Sequence, residues 1–457
     1  MDTENLLHKA DLSPSELAKA MLNRHVGDNV ETLNNLEIEQ AAPVLAALPV
    51  ERAVEILDQP EFFGGPELIA SLPAAHAAAL LNAMSADRAA DIVRLLPEDT
   101  APLVLAVLDD ESRSAIQRLL VYPEDTAGGL MTTEFVSVPS NFTVGQTLEH
   151  IRHVERTRET VYAIYVLDPA TKRLVQMVTL RRLISADPSA PILSAARESK
   201  PITVTPQTDR EEVGRLFRKY DLLAVPVVDH FGHVLGIVTV DDAIDAMLQE
   251  SSEDVQKFGG MEAIDKPYLQ MGFGAMIKKR AGWLCVLFLS EMLTASAMQS
   301  FEAELEKAIV LTLFVPLIMS SGGNSGSQAT SLLIRSLALQ ELRLRDWWRV
   351  AIRELPTGIV LGSFLGIIGI ARIAIWQSAG LYDYGPHWQL VALTVGTALI
   401  GIVTFGSMAG SMLPFILKRA GFDPASASAP FVATLVDVTG LVIYFSVALV
   451  ILRGTLL

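Results

Sequence analysis

The chain has 457 residues, half of them hydrophobic, and carries 52 acidic against 36 basic side chains for a net charge of −16. Residues 281 to 457 hold 10 acids and 10 bases, so the whole excess lies in the first 280 residues; this argues against nucleic acid, whose phosphates call for a basic face, and favours cationic ligands. A single cysteine, Cys285, excludes an intramolecular disulfide and a cysteine-rich metal site, and the polar stretch from Met1 to Ala20 lacks the apolar core of a cleavable signal.

In chain order, the first predicted element is a repeat. Leu48-Pro49, Leu72-Pro73 and Leu96-Pro97 recur every 24 residues, each followed by Ala (Ala53, Ala77, Ala101) and then Leu (Leu57, Leu81, Leu105). A fixed period with Pro at helix starts predicts a helical solenoid of stacked hairpins, which makes residues 1–130 an all-α superhelical repeat domain. Ser85 and Asp109 read as N-caps of the intervening helices. Repeats of this kind present a surface rather than a catalytic pocket, so a structural or docking role is expected.

Residues 131–190 and 191–250 each read strand, helix, strand, strand, helix. The second contains Val225-Pro-Val-Val-Asp229, then Gly232, then Gly236-Ile-Val-Thr-Val-Asp-Asp242. An apolar strand, a Gly turn, another strand and a Thr-x-x-Asp ending that opens a helix resemble the CBS domain. The resemblance implies an α/β pair whose cleft takes adenine nucleotides. The first copy ends Thr179-Leu-Arg-Arg182, with Arg where Asp is expected, which sets that half apart. A helical run is then expected from Asp241 to Arg280. It carries Asp242, Asp245, Glu250, Glu253, Asp254 and Glu262, and residues 243–280 become a candidate gate, or plug, helix. Charge runs of this kind otherwise mark solvated faces.

In residues 281–457, five apolar stretches long enough to cross about 30 Å of hydrocarbon begin near Ala281, Ala308, Val350, Trp388 and Ala425. Lys278 to Arg280, five arginines between spans two and three, and Lys418-Arg419 place the N-terminal part in the cytoplasm and the C-terminal tail outside. The second span holds Pro316 and a polar, glycine-rich segment from Ser320 to Gln328, which suggests irregular backbone shielded from lipid. Gly358, Gly362, Gly366 and Gly369 in the third span, and Pro414 in the fourth, point to close helix approach and kinks. In the fifth span, Asp437 lies at mid-depth with no base in the apolar run to neutralise it. Such a carboxylate is costly in lipid and marks a cation path by default. Ala433, Thr434 and Gly440 share its face at helical spacing and leave room for a hydrated ion. Glu291, midway along the first span, is a weaker candidate.

In sum, a helical repeat domain, Glu124-Asp-Thr-Ala-Gly-Gly-Leu-Met131, a CBS pair, an acidic connecting helix and an α-helical five-span bundle resemble the MgtE-type magnesium channel family. The sharpest motifs are Gly323-Asn-Ser-Gly-Ser-Gln328 and Pro430-Phe-Val-Ala-Thr-Leu-Val-Asp-Val-Thr-Gly440. The resemblance implies a homodimer in the cell membrane, with a pore between subunits lined by Asp437 and Asn324. It also implies regulatory Mg²⁺ at Asp87 and Asp91, at Asp209, Glu211 and Asp221, at Asp242, Glu253 and Asp254, and at Asp423. Mg²⁺ is hard, octahedral and slow to lose water, so oxygen-only ligands suit it. An ion-coupled divalent-cation transporter and a non-conducting CBS-based sensor are the alternative readings. A soluble-type enzyme is not expected, because no nucleophile-and-base pair, Walker loop or dinucleotide fingerprint occurs. His8, His25, His76, His150 and His153 are expected on solvated helix faces.

Overall fold

The computed structural model describes residues 13–154, 160–264 and 268–456, and the chain divides into two compact units, Met1–Glu250 and Ser251–Leu457. His8 lies outside the described residues.

The first unit opens with nine short helices: α1 (Pro14–Met21), α2 (Val26–Asn34), α3 (Ile38–Ala47), α4 (Val50–Leu57), α5 (Gly65–Ser71), α6 (Ala74–Ala83), α7 (Ala86–Leu95), α8 (Ala101–Val107) and α9 (Asp110–Leu119). Each packs on the helix two places along, as α4 does on α6 and α5 on α7, which is the stacking that a repeat requires. Pro49 and Pro73 stand at the N-caps of α4 and α6, and Ala53, Leu57, Ala77 and Leu81 are buried at the predicted spacing. The third repeat departs from this register. Pro97 precedes α8 by a turn, Ala101 and Leu105 are only half-buried, and Val104 and Leu108 take over the core positions. Ser85 and Asp109 occupy the N-cap positions of α7 and α9, and the Asp109 carboxylate accepts the Ser112 amide at 2.7 Å.

Two α/β modules follow. In the first, β1 (Val136–Pro139) pairs parallel with β2 (Ala163–Leu167), which pairs antiparallel with β3 (Leu174–Thr179); α11 (Val144–Val154) and α12 (Leu180–Ser185) complete it. In the second, α13 (Arg210–Tyr220) precedes an antiparallel pair, β4 (Ala224–Val228) and β5 (Val234–Thr239), and α14 (Val240–Phe258) follows. The expected first strand of this copy shrinks to one bridge, in which Val204 exchanges hydrogen bonds with Pro226 and Val228 at 3.1 and 2.8 Å. Pro201 and Pro206 flank that bridge, and a proline has no amide to donate to a longer ladder. At the end of β5, the Thr239 hydroxyl donates to the Asp242 carboxylate, closing the Thr-x-x-Asp turn.

The second unit contains five helices of membrane length: α15 (Phe273–Ser300), α17 (Val315–Ala338, extended by a 3₁₀ turn from Ile309), α18 (Trp347–Ser378, extended from Leu344), α19 (Trp388–Arg419) and α20 (Ala429–Ile451); α16 (Glu302–Lys307) is a short connector. The first and third spans start earlier than their apolar runs do, because polar interfacial turns continue the same helices. The expected unbroken helix from Asp241 to Arg280 is interrupted. It stops at Phe258, where Gly260 adopts φ +76° against the Trp283 indole, and the chain folds back so that the Glu262 amide donates to the Lys279 carbonyl at 3.2 Å. A left-handed residue ends a helix, and Gly adopts that conformation without Cβ strain.

The glycine-rich segment of the second span is also not irregular. Ser320 to Gln328 lies wholly within α17, so its backbone groups are paired inside the helix and no wet cavity is needed to satisfy them. Its glycines serve close packing instead. Gly322 and Gly326 meet Gly406 and Gly410 of α19 backbone to backbone, and a Cβ on Gly410 would overlap the Gly326 carbonyl oxygen. Two polar contacts pin the crossing. Ser325 Oγ lies 2.7 Å from Ser407 Oγ, and Thr330 Oγ1 donates to the Gly410 carbonyl at 2.8 Å. Gly358, Gly362 and Gly366 bring α18 onto Thr404, Ile400 and Gly396 of α19 in the same way.

A Gly410→Ala substitution should therefore lower the thermal stability of the detergent-solubilised protein by about 1–3 kcal/mol, the usual cost of overpacking. Gly282→Ala, where nothing lies within 4 Å of the added carbon, should leave it unchanged.

Candidate ion path and acidic clusters

Asp437 lies on α20, which packs against α15, α17 and α19. Its carboxylate is half-buried and makes no hydrogen bond or ion pair among the described residues. The charged group with which it interacts is Glu291 of α15, another acid. Two carboxylates of like sign at membrane depth, with no base beside them, form a negative centre that calls for an external cation. Ala433 abuts Gly323 of α17, whose added Cβ would stand 3.3 Å from it, so the small face next to Asp437 meets the glycine-rich segment. Gly440, on the same face, is buried against Ile402. Thr434 donates its hydroxyl back to the Pro430 carbonyl at 3.0 Å, leaving its oxygen lone pairs as acceptors. Asn324 is exposed on α17, with its amide 3.3 Å from Ser320 Oγ.

The expected regulatory residues fall into separate groups. Asp87 and Asp91 share one face of α7, a turn apart, and sequence reasoning missed that Asp58, at the end of α4, interacts electrostatically with both. Burial pushes the Asp58 carboxyl up to about 6 and that of Asp91 up to about 7, in each case against the pull of Arg88. Burial raises Asp87 as well, although the Ser85 hydroxyl and nearby amides favour its charged form. One buried oxygen each of Asp58 and Asp87 has no hydrogen-bond partner. Asp245 of α14 is also raised, first by burial and then by the charge of Glu61. Orphaned, buried carboxylate oxygens are the donor set that a hard cation takes.

Asp209 caps the start of α13, accepting the Glu211 amide at 2.8 Å, while Asp221 ends that helix in the left-handed conformation at φ 51°. An 11-residue helix is roughly 16 Å long, so Asp209 and Asp221 of one chain cannot share an ion. Asp242 is engaged by Thr239, as described. Glu253 and Asp423 sit on either side of Lys257, whose ammonium lies 3.3 Å from the first and 2.9 Å from the second. Burial alone would lower the Lys257 pKa, but the hydrogen bond and charge of Asp423, with Glu253, hold it above the ordinary range. Asp254 is half-buried one residue beyond Glu253. Among the described residues, no three His, Cys, Asp or Glu side chains converge as a ready metal cage. His25 and His153 are exposed, whereas His76 and His150 are half-buried; the His25 imidazole caps α2 through the Gly27 amide.

In the first α/β module, Thr179, Arg181, Arg182, Ser185, Ser194 and Arg197 line a cleft of about 410 Å³. A shallower apolar slot beside it is formed by Tyr162, Leu180, Ile184 and Leu223. Three guanidinium groups suit phosphate oxygens.

Five membrane-spanning helices around an unpaired carboxylate, together with an α/β pair and a helical repeat, define a multi-pass membrane transport protein with a soluble regulatory part. The chain belongs to the MgtE family. The family profile described as a divalent cation transporter matches residues 315–447, the MgtE intracellular N domain matches 24–125, and the CBS domain matches 127–189 and 194–249. The chain is 41% identical over 348 residues to the magnesium transporter MgtE of Thermus thermophilus, covering 76% of this chain and 75% of that protein. It is 35% identical to the magnesium transporter MgtE of Enterococcus faecalis, covering 75% and 73%. Among solved structures, it is similar to the cytosolic domain of the Mg²⁺ channel MgtE in complex with ATP, at 35% identity and a TM-score of 0.48, over 53% of this chain and 98% of that one.

The raised carboxyls have a consequence for pH. Asp58 and Asp91 bind protons near 6 and 7 when folded, against 3.8 ordinarily, so their contribution to stability is full below about pH 4 and is lost as the pH rises through those values. With a chelator present, hydrogen-exchange protection of α4 and α7, corrected for the intrinsic rate, should fall from about pH 5 to about pH 8.

Proposed function

We propose that this protein is a Mg²⁺-selective channel for magnesium uptake, working as a homodimer and gated shut by cytoplasmic Mg²⁺. The observation that carries the reading is Asp437: a half-buried intramembrane carboxylate with no base to neutralise it, on a face of small residues. Membership of the MgtE family and the names of the two relatives support magnesium as the cargo. In a dimer, two Asp437 carboxylates, two Asn324 amides and the oxygens of Ala433 and Thr434 offer a diffuse negative, oxygen-rich path. That path suits an ion that keeps part of its water shell.

Regulation follows from the charge of the first 280 residues. With little Mg²⁺, the carboxylates of Asp87, Asp91, Asp209, Glu211, Asp221, Asp242, Glu253, Asp254 and Asp423 repel and the soluble part loosens. When Mg²⁺ rises, it bridges them and draws the segments leading to the pore together. Several weak sites acting jointly supply the few kcal/mol needed to move a gate from mostly open to mostly shut. The positive-inside distribution of bases puts the first unit in the cytoplasm and the C-terminus outside. An adenine nucleotide would enter the CBS cleft through its phosphates, with Arg181, Arg182 and Arg197 as donors and the apolar slot for the base. Arg182 replaces the Asp that the second copy has at Asp242, so ribose recognition there would differ from that of the second copy.

Divalent-cation uptake by reconstituted protein should drop at least about tenfold in Asp437→Asn, the loss expected from about 1.4 kcal/mol of ion stabilisation. High internal Mg²⁺ should suppress the wild-type flux. Uptake indifferent to Asp437→Asn would instead fit a non-conducting sensor. Protease susceptibility of the soluble part should fall as Mg²⁺ is added, and unchanged cleavage would rule out the bridging scheme.

A further inference from the structure

The turn between α17 and α18 concentrates the opposite charge from the rest of the chain. From Arg335 to Arg353, five arginines face two acids, Glu341 and Asp346. Arg335, Arg343, Arg345, Arg349 and Arg353 are all exposed. Arg349 reaches Asp346 at 3.2 Å, and Asp346 also accepts the Arg343 amide at 2.9 Å; the other guanidinium groups make no ion pair among the described residues. Arg345, Arg349 and Arg353 follow one another every fourth residue, so they form a stripe along the start of α18.

Beside that stripe lies exposed apolar surface. Trp347 and Trp348 pack edge to face at 5.6 Å between centroids, yet 47% and 59% of their surfaces remain open. Leu344, Ile352 and Leu355 are exposed too and run into the apolar length of the same helix. Indoles of this kind settle at the headgroup level of a bilayer, with the apolar body in the acyl region and the N–H in water. A row of guanidinium forks at that depth meets phosphodiesters, which they bind with two parallel hydrogen bonds.

We propose that this corner is a binding site for anionic phospholipid headgroups, held by Arg345, Arg349 and Arg353 through the phosphate, with Trp347 and Trp348 fixing its depth. The topological role of arginines requires only positive charge, whereas this role requires the fork. Anionic lipid therefore anchors the start of the third span, and through the α18–α19 glycine contacts it steadies the bundle that holds Asp437 in place. An acidic polypeptide is the alternative occupant of a basic patch, but it would not account for the apolar strip that continues into the membrane-facing helix.

The test uses the full-length chain in detergent, equilibrated with equal amounts of phosphatidylglycerol and phosphatidylcholine, and counts retained lipids by native mass spectrometry. Wild type should prefer phosphatidylglycerol, and each arginine should account for roughly fivefold in that preference. The triple Arg345→Lys, Arg349→Lys, Arg353→Lys variant keeps the charge that sets topology and should fold normally, yet retain less phosphatidylglycerol; the triple Gln variant should lose the preference. Uptake in vesicles lacking anionic lipid should be slower for wild type and unchanged between wild type and the triple Lys variant. Equal retention of the two lipids by wild type, or a triple Lys variant that binds phosphatidylglycerol as wild type does, would overturn the proposal.

Discussion

Peptide groups in hydrocarbon must find their hydrogen-bond partners within the protein, and every feature of the second unit answers to that requirement. It keeps Ser320 to Gln328 helical despite three glycines and four serines in nine residues. With the backbone satisfied locally, the glycines are free to bring α17 and α19 into direct backbone contact at two successive turns. Van der Waals attraction between helices in lipid grows as their axes approach, and small residues allow the closest approach. That contact fixes α17 and, through Gly323 and Ala433, the face of α20 next to Asp437. The cation path rests on a rigid crossing rather than on a flexible loop.

Charge is distributed by the same logic of place. Acids gather in the soluble unit, and several of them are buried deeply enough to hold protons near neutrality. Bases gather at the edges of the spans, where they set topology. Where the two patterns meet, as at Lys257 between Glu253 and Asp423, an ion pair within the second unit ties the end of α14 to the turn before α20.

Much of this was legible in the residue order. The 24-residue repeat is visible because Pro, Ala and Leu mark helix starts and cores locally, and the five spans because apolar runs of that length have few other uses. Asp437 stood out because nothing in its run neutralises it. Two local readings failed for different reasons. The glycine-rich segment looked irregular because glycine and serine leave the backbone undecided, and only the facing glycines of α19, some 80 residues away, settle it. The connecting helix looked continuous although Gly259-Gly260 is a break signal; the acidic periodicity on either side masked it. The burial of Asp58 beside Asp87 and Asp91 was hidden for a third reason. It arises where separate repeats stack, and no single stretch of sequence carries it.

The ammonium held between Glu253 and Asp423 has one more implication. A tethered lysine is a monovalent competitor whose local concentration the cell cannot alter. Any free divalent ion seeking those two carboxylates must first displace it. The concentration at which displacement begins is thus written into the geometry of one side chain, and a shorter or longer residue at position 257 would reset it.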